Sequence, residues 1–329
     1  MTYKTNILFT TIITICTILF FSNKSIAQEK IVKIYISQFV EHPALDSTVR
    51  GILDGLSSAG YVNGKNADIR IESAQGNVSL AGQIANKFMS NDPDIVVGIG
   101  TISAQSFAKF VKNTDTKLIF ASVTDPVEAG LIESLDKTDG NISGVSNFVP
   151  LEPQIEMFLQ IKPSIKKLGF VYNPGELNSI SLIEKLQAIC PKYGIELITI
   201  TAAKTSDVAQ SATKIASMVD AIFISNDNTA LSAMRMMVKA ANLQKIPVFA
   251  SDTDIVEQGV IAAYGPNQYE IGRQTARMIA SSLNGKNIGN MTTEFPDKME
   301  LFLNLKAAKA SGIDIAPKLI KSAKSIYKN

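Results

Sequence analysis

The sequence predicts an α/β protein made of two doubly wound parallel-sheet lobes in tandem. Three observations carry that expectation. First, one stretch occurs twice: residues 120–132 read FASVTDPVEAGLI and residues 249–261 read FASDTDIVEQGVI, with nine of the thirteen positions identical. Each copy begins as a short apolar run and breaks into a Thr/Asp turn, which is how a buried parallel strand ending in a polar loop reads. Second, short apolar runs alternate with helical stripes of ten to fifteen residues along the chain, the pattern of parallel sheets covered on both faces. Third, 329 residues with 46% hydrophobic content are enough for two ordinary cores, at roughly 100–200 residues per domain.

The first 27 residues stand outside both lobes. Lys4 precedes an uncharged apolar run over 7–21, and a polar stretch then ends in Ser25-Ile26-Ala27. That is the pattern of a secretory signal peptide, with cleavage expected after Ala27. The apolar run is shorter than the ~20 residues a spanning helix needs, and Ile15 is too bulky for the position before a lipidated Cys16. Cleavage leaves Cys190 as the only cysteine, so no internal disulfide is expected. It also removes Lys4 and Lys24 with no acidic residue, taking the formal charge from +2 to 0. Such a chain has no excess charge to attract nucleic acid or an acidic membrane.

From residue 30 the elements follow in order. A strand over 31–37 and a loop over 38–43 lead into a helix whose stripe is Leu45, Val49, Ile52, Leu53 and Leu56, ended by Gly60. A strand at 68–73, a helix at 79–89, a strand at 94–99 and a helix at 103–111 follow, then the first copy of the repeat and a short strand at 142–145. A second series starts with a helix at 151–161, a strand at 167–172, a polar turn at 173–179 and a helix at 180–193. Next come a strand at 196–201, a helix at 206–218, a strand at 221–225, a loop at 226–229, a helix at 230–241 and the second copy of the repeat. A strand at 260–264, an amphipathic helix at 267–283, a strand at 299–305 and a helix at 306–311 finish the series. The lysine-rich tail reads as a solvated terminus.

Most catalytic constellations are excluded by counting. With one His and one mature Cys, no His/Cys zinc site can be assembled, and a Ser-His-Asp arrangement would have to use His42. The stretch AGYVNGKN at 59–66 lacks the first Gly and the final hydroxyl of a phosphate loop. Gly98 and Gly100 are an isolated GxG, and Met234, Met236 and Met237 read as helix core rather than as an adaptable binding surface. No catalytic residue, metal or cofactor is expected.

Polar loops at predicted strand ends remain. The first lobe offers Gln38, then Thr101 and Ser103, then Thr124 and Asp125; the second offers Glu176, Asn178 and Ser179, then Asp227 and Asn228, then Asp252 and Asp254. In open α/β sheets ligands bind beyond the carboxyl ends of the strands. Hydroxyls and helix N-termini suit the carboxylate of a free amino acid, and a buried carboxylate suits its ammonium. Asp227 is the expected partner of that ammonium. Each of these residues also reads as a helix cap or Asx-turn former.

The segments QFVEHPALD at 38–46, VTDP at 123–126, GNISGV at 140–145, YNPGELNS at 172–179, DNT at 227–229, IPVF at 246–249 and LNL at 303–305 resemble the periplasmic substrate-binding proteins of ABC transporters, in the TrpX-like group. The resemblance implies a type I periplasmic-binding fold, with three crossovers between lobes and a solute clamped in the cleft. It also implies that helix 267–283 returns to the first lobe, giving lobes of 28–147 plus 264–290 and 148–263 plus 291–329. A monomeric, periplasmic receptor follows, not an enzyme, whose partners are a small solute and a membrane permease with its ATPase. Some relatives bind aromatic amino acids; a branched amino acid, another small polar solute or a sugar stays open, as does a sensor reporting the same solute to a membrane receptor.

Overall fold

The strand Ile95–Ile99, IVVGI, is buried at every position, as a strand covered on both faces must be. In the computed structural model, which describes residues 31–136 and 140–328, it is the third strand of a five-stranded parallel sheet. That sheet has the order β2-β1-β3-β4-β5 and contains β1 (Val32–Gln38), β2 (Ala67–Ser73), β3 (Ile95–Ile99), β4 (Lys117–Val123) and β5 (Ile142–Ser146). Helices α1 (Pro43–Ser58), α2 (Val78–Met89) and α3 (Thr101–Val111) connect its strands. One face buries Tyr35, Phe88, Phe107 and Phe120, and the other Ile34, Ile36, Ile52, Leu56 and Val97. The signal peptide expected over 1–27 lies outside the described residues.

The second sheet has the order β12-β11-β10-β9-β8-β6-β7. Its strands are β6 (Lys167–Tyr172), β7 (Glu196–Thr201), β8 (Ala221–Ile224), β9 (Val248–Ala250), β10 (Ala262–Gly265), β11 (Glu300–Asn304) and β12 (Ser325–Tyr327). All neighbours are parallel except β10 and β11. Helices α4 (Leu151–Ile161), α5 (Leu177–Ile189), α6 (Val208–Ala216), α7 (Asn228–Ser232) and α8 (Met234–Leu243) accompany it. On one face Phe158 stacks on Phe249 at 4.4 Å and meets Phe223 edge-on at 5.0 Å, the offset and edge geometries that aromatic quadrupoles favour. Met234 and Met237 are core residues of the other face, whereas Met236 points to solvent at 49% exposure.

The chain passes between the sheets at three places. After β5 it enters α4, whose Leu151, Ile155 and Phe158 belong to the second core. After β10 it enters α9 (Gln268–Leu283), whose Ile271, Ala276 and Ile279 pack with Ile34 and Ile52 of the first. There α9 lies directly on α1: a Cβ added at Gly51 would sit 2.0 Å from the Tyr269 carbonyl oxygen, and one at Gly272 2.2 Å from that of Thr48. Only glycine permits this backbone contact. Before the third passage the chain runs beside β5, with the Ser146 N–H donating to the Glu294 carbonyl at 2.9 Å and the Glu294 N–H to that of Gly144 at 3.0 Å.

Gly265 pairs in the second sheet, and Glu294 pairs with the first. The tail is not a solvated terminus. After α10 (Leu305–Ala310), α11 (Pro317–Ser322) buries Leu319, and β12 pairs in parallel with β11 along Ser325, Ile326 and Tyr327. Lys318, Lys321 and Lys324 are exposed, while the apolar residues between them cover the sheet.

Candidate ligand cleft

The carboxyl ends of both sheets face one gap. A cavity there is lined by His42, Ala44 and Leu45 after β1, Thr101 after β3, Ser122 and Thr124 around the end of β4, and Asn147 after β5. The second lobe adds Asn178 after β6, Asn226, Asn228 and Leu231 after β8, and Asp252 after β9, and Gln268 enters from the start of α9. This is the position where open α/β sheets bind ligands.

The lobes are drawn together across it. Asn226 Nδ2 donates to Thr124 Oγ1 and to Asn147 Oδ1, each at 3.2 Å. His42 Nε2 lies 3.2 Å from Asn228 Oδ1, Ser47 Oγ donates to Asp254 Oδ1 at 2.8 Å, and Lys185 Nζ lies 3.0 Å from Asp125 Oδ2. The volume left for the centre of a water molecule is about 10 Å³, room for roughly one water. A larger solute enters only when the lobes part.

Of the residues expected at the site, Thr101, Thr124, Asn178, Asn228 and Asp252 line the cavity. Gln38, Ser103, Asp125, Glu176, Ser179, Asp227 and Asp254 do not. Gln38 Nε2 donates to Asp46 and to the Val40 carbonyl, and Ser103 pairs with Ser37 behind the cavity wall. Asp125 and Asp254 make the contacts between lobes described above. Glu176 is a buried framework acceptor, taking Asn228 N–H and Nδ2 on Oε2 and Thr229 N–H and Oγ1 on Oε1.

Asp227, the expected partner of a ligand ammonium, does not line the cavity. It caps α7, with Oδ1 accepting the Ala230 N–H at 2.7 Å, while Oδ2 accepts the Asn173 N–H at 2.7 Å and Ser179 Oγ at 2.6 Å. Both oxygens are spent on the fold. Burial, and then the neighbouring Glu176, push this carboxyl up to about 7, against those three donors.

Asp252 differs. Its Oδ1 accepts the Asp254 N–H at 3.0 Å, and its Oδ2 is buried with no hydrogen-bond partner among the described residues. Burial, and then the charge of Asp254, raise its carboxyl well above the usual range. Such a carboxyl takes its charged form most readily when a cation enters beside it, so the position suits a solute ammonium. Opposite chemistry is supplied by α3: Gly100, at φ 84°, precedes it with no side-chain cap, and Thr101, its first residue, lines the cavity. An uncapped helix N-terminus favours an anion.

Sequence reasoning missed His42, Ser122, Asn147, Asn226 and Gln268. Ser122 adopts a left-handed φ of 53° at a break in the β4–β5 register, a conformation that non-glycine residues keep where the surroundings enforce it; its Oγ donates to Gln268 Oε1 at 3.1 Å. Its place in the repeated Phe-Ala-Ser was the available signal. For His42 the signal was a lone His between a strand and a Pro-initiated helix. Burial pushes its imidazole down to about 4, so it is neutral at pH 7.

The sequence matches the family of ABC transporter substrate binding proteins over residues 33–327. It is 33% identical over 288 residues to the tyrosine-binding protein of Clostridioides difficile (strain R20291), covering 88% of this chain and 83% of that protein. Among solved structures it is similar to the ABC domain in complex with L-Trp from Streptococcus pneumonia, with 32% identity, a TM-score of 0.86, and 90% of this chain and 99% of that one covered. A ligand-free, open substrate binding protein with adhesive properties from Clostridium difficile shares 31% identity at a TM-score of 0.68, with 91% and 100% covered. At nearly equal identity the Trp complex superposes better than the open protein, as fits a chain whose lobes are drawn together.

Proposed function

We propose that this chain, which belongs to the ABC transporter substrate binding protein family, clamps an aromatic amino acid between its lobes outside the cytoplasm and delivers it to a membrane permease. The observation that carries the reading is the pairing of opposite chemistries in one cavity. Asp252 Oδ2, buried and unpaired, takes the ammonium; the uncapped start of α3, with Thr101 and Thr124, takes the carboxylate. Ala44, Leu45 and Leu231 give the side chain apolar walls. The ligands of the two relatives, tyrosine and L-Trp, support the aromatic class.

Closure follows from differential affinity. A solute that touches Asp252 from one lobe and Thr101 from the other binds the closed form more tightly than the open one, and shifts the population by that difference. The closed form is the one a permease reads. Native mass spectrometry of protein purified without refolding, followed by denaturation and identification of what is released, tests this. An aromatic amino acid in near one-to-one amount is expected; release of a sugar or an aliphatic solute contradicts the aromatic reading.

A further inference from the structure

The hydrogen-bond network around His42 fixes what its second ring nitrogen can do. Asn228 Nδ2 donates to Glu176 Oε2 at 2.6 Å, and the reverse orientation would set an amide oxygen against a carboxylate. Asn228 Oδ1 is therefore an acceptor, and its partner at 3.2 Å, His42 Nε2, carries the proton. The imidazole is buried and neutral, so Nδ1 holds a lone pair, and Nδ1 is buried without a hydrogen-bond partner among the described residues. Asn178 repeats the pattern: Nδ2 donates to the Asn226 carbonyl at 2.6 Å and to Glu176 at 3.1 Å, leaving Oδ1 buried and unpartnered.

The unpartnered atoms His42 Nδ1 and Asn178 Oδ1 are thus acceptors, and Asp252 Oδ2 becomes one when an ammonium draws that carboxyl to its charged form. They are also spread out. Asp252 follows β9, His42 is tied to Asn228 after β8, and Asn178 follows β6, in a sheet where β9, β8 and β6 are successive neighbours. Two strand spacings, about 10 Å, separate Asp252 from Asn178, with His42 tied to the strand between them, so one ammonium at Asp252 does not meet all three. A solute that completes the site brings a second donor, remote from its ammonium.

Resting on the aromatic amino-acid reading above, we propose that His42 is a specificity-determining residue whose Nδ1 accepts a hydrogen bond from the side chain of the solute, so that the cleft selects a phenol or an indole over a plain phenyl ring. Phenylalanine fits the same apolar walls but leaves a buried acceptor unmet, a loss on the order of tenfold or more in affinity.

Titration calorimetry at pH 7 with L-tyrosine, L-tryptophan and L-phenylalanine tests this on the wild type, His42→Gln and His42→Asn. Gln keeps a donor at the position of Nε2 but has no acceptor at the position of Nδ1; Asn has the acceptor. The wild type is expected to prefer tyrosine or tryptophan over phenylalanine by about tenfold or more. In H42Q that preference collapses, through loss of the donor-bearing ligand with phenylalanine unchanged within about threefold, and in H42N it is recovered in part. A wild type that binds all three equally, or an H42Q that keeps the preference, overturns the proposal while leaving the aromatic reading intact. A wild type that binds none of the three contradicts the aromatic reading itself and removes this inference with it.

Discussion

Lys185 Nζ lies 3.0 Å from Asp125 Oδ2 across the cleft, and the opposite side of the cleft carries the same device. Lys185 also donates to Ser181, the fifth residue of α5; Arg50 donates to Ser47, the fifth residue of α1, and Ser47 in turn to Asp254. Asp125 and Asp254 occupy the same position in the two copies of the repeated stretch. Each copy therefore reaches from its own lobe to a cation–serine pair on the other, and the repeat latches closure from both sides. Lys185→Met is expected to expand the ligand-free protein in small-angle X-ray scattering and to weaken binding by about 1 kcal/mol or less, the range of a partly exposed pair. An unchanged radius of gyration with unchanged affinity would remove the latch.

Asp227 and Asp252 both cap a helical turn after a strand, yet opposite outcomes are expected on removing them. Asp227→Ala deletes a cap and two further hydrogen bonds, and thermal denaturation should show a loss of about 2 kcal/mol or more, with affinity of the folded protein changed less than about threefold. Asp252→Asn relieves a buried, unpaired carboxyl beside Asp254, so the ligand-free protein should gain stability, as residues kept for function often permit. A destabilised Asp252→Asn would assign that side chain to the framework instead.

His42 is the only histidine of the chain, so its imidazole can be followed by NMR without assignment. The ring is expected to stay neutral, protonated on Nε2, and to titrate near pH 4 rather than near 6.5. The unfolded chain then binds the proton first, and stability falls as pH drops from about 6.5 toward 4. Between pH 7 and 5 the wild type should lose about 2 kcal/mol more than His42→Gln. An ordinary titration near 6.5 would contradict the buried, neutral ring.

Gly272→Ala should push α9 from α1, because its Cβ would sit 2.2 Å from the Thr48 carbonyl oxygen. Overpacking of this kind costs about 1–3 kcal/mol, readable by urea denaturation. Since α1 begins at the cleft wall with Ala44 and Leu45, affinity should fall as well. Wild-type stability in this variant would mean that the helices separate freely.

Periodicity made the alternating strands legible, and the repeat placed two polar loops at strand ends. Side-chain competition was not legible. Asp227 and Asp252 read alike in sequence; what separates them is Asn173 and Ser179, some fifty residues away, which consume one carboxylate and not the other. The helix expected over 230–241 breaks at Ala233, at φ −118° and ψ 20°, with no Gly or Pro to announce it. Charge composition misread the tail, because Leu319 and Ile326 bury their share between exposed lysines.

Titration calorimetry of the wild type and Asp252→Asn with L-tryptophan and L-tyrosine tests the central claim most directly. One-to-one binding to the wild type, weakened about 100-fold or more in the variant, is expected, because the ligand ammonium would be left buried without its counter-charge. Affinity retained within about threefold by a folded Asp252→Asn protein would contradict it.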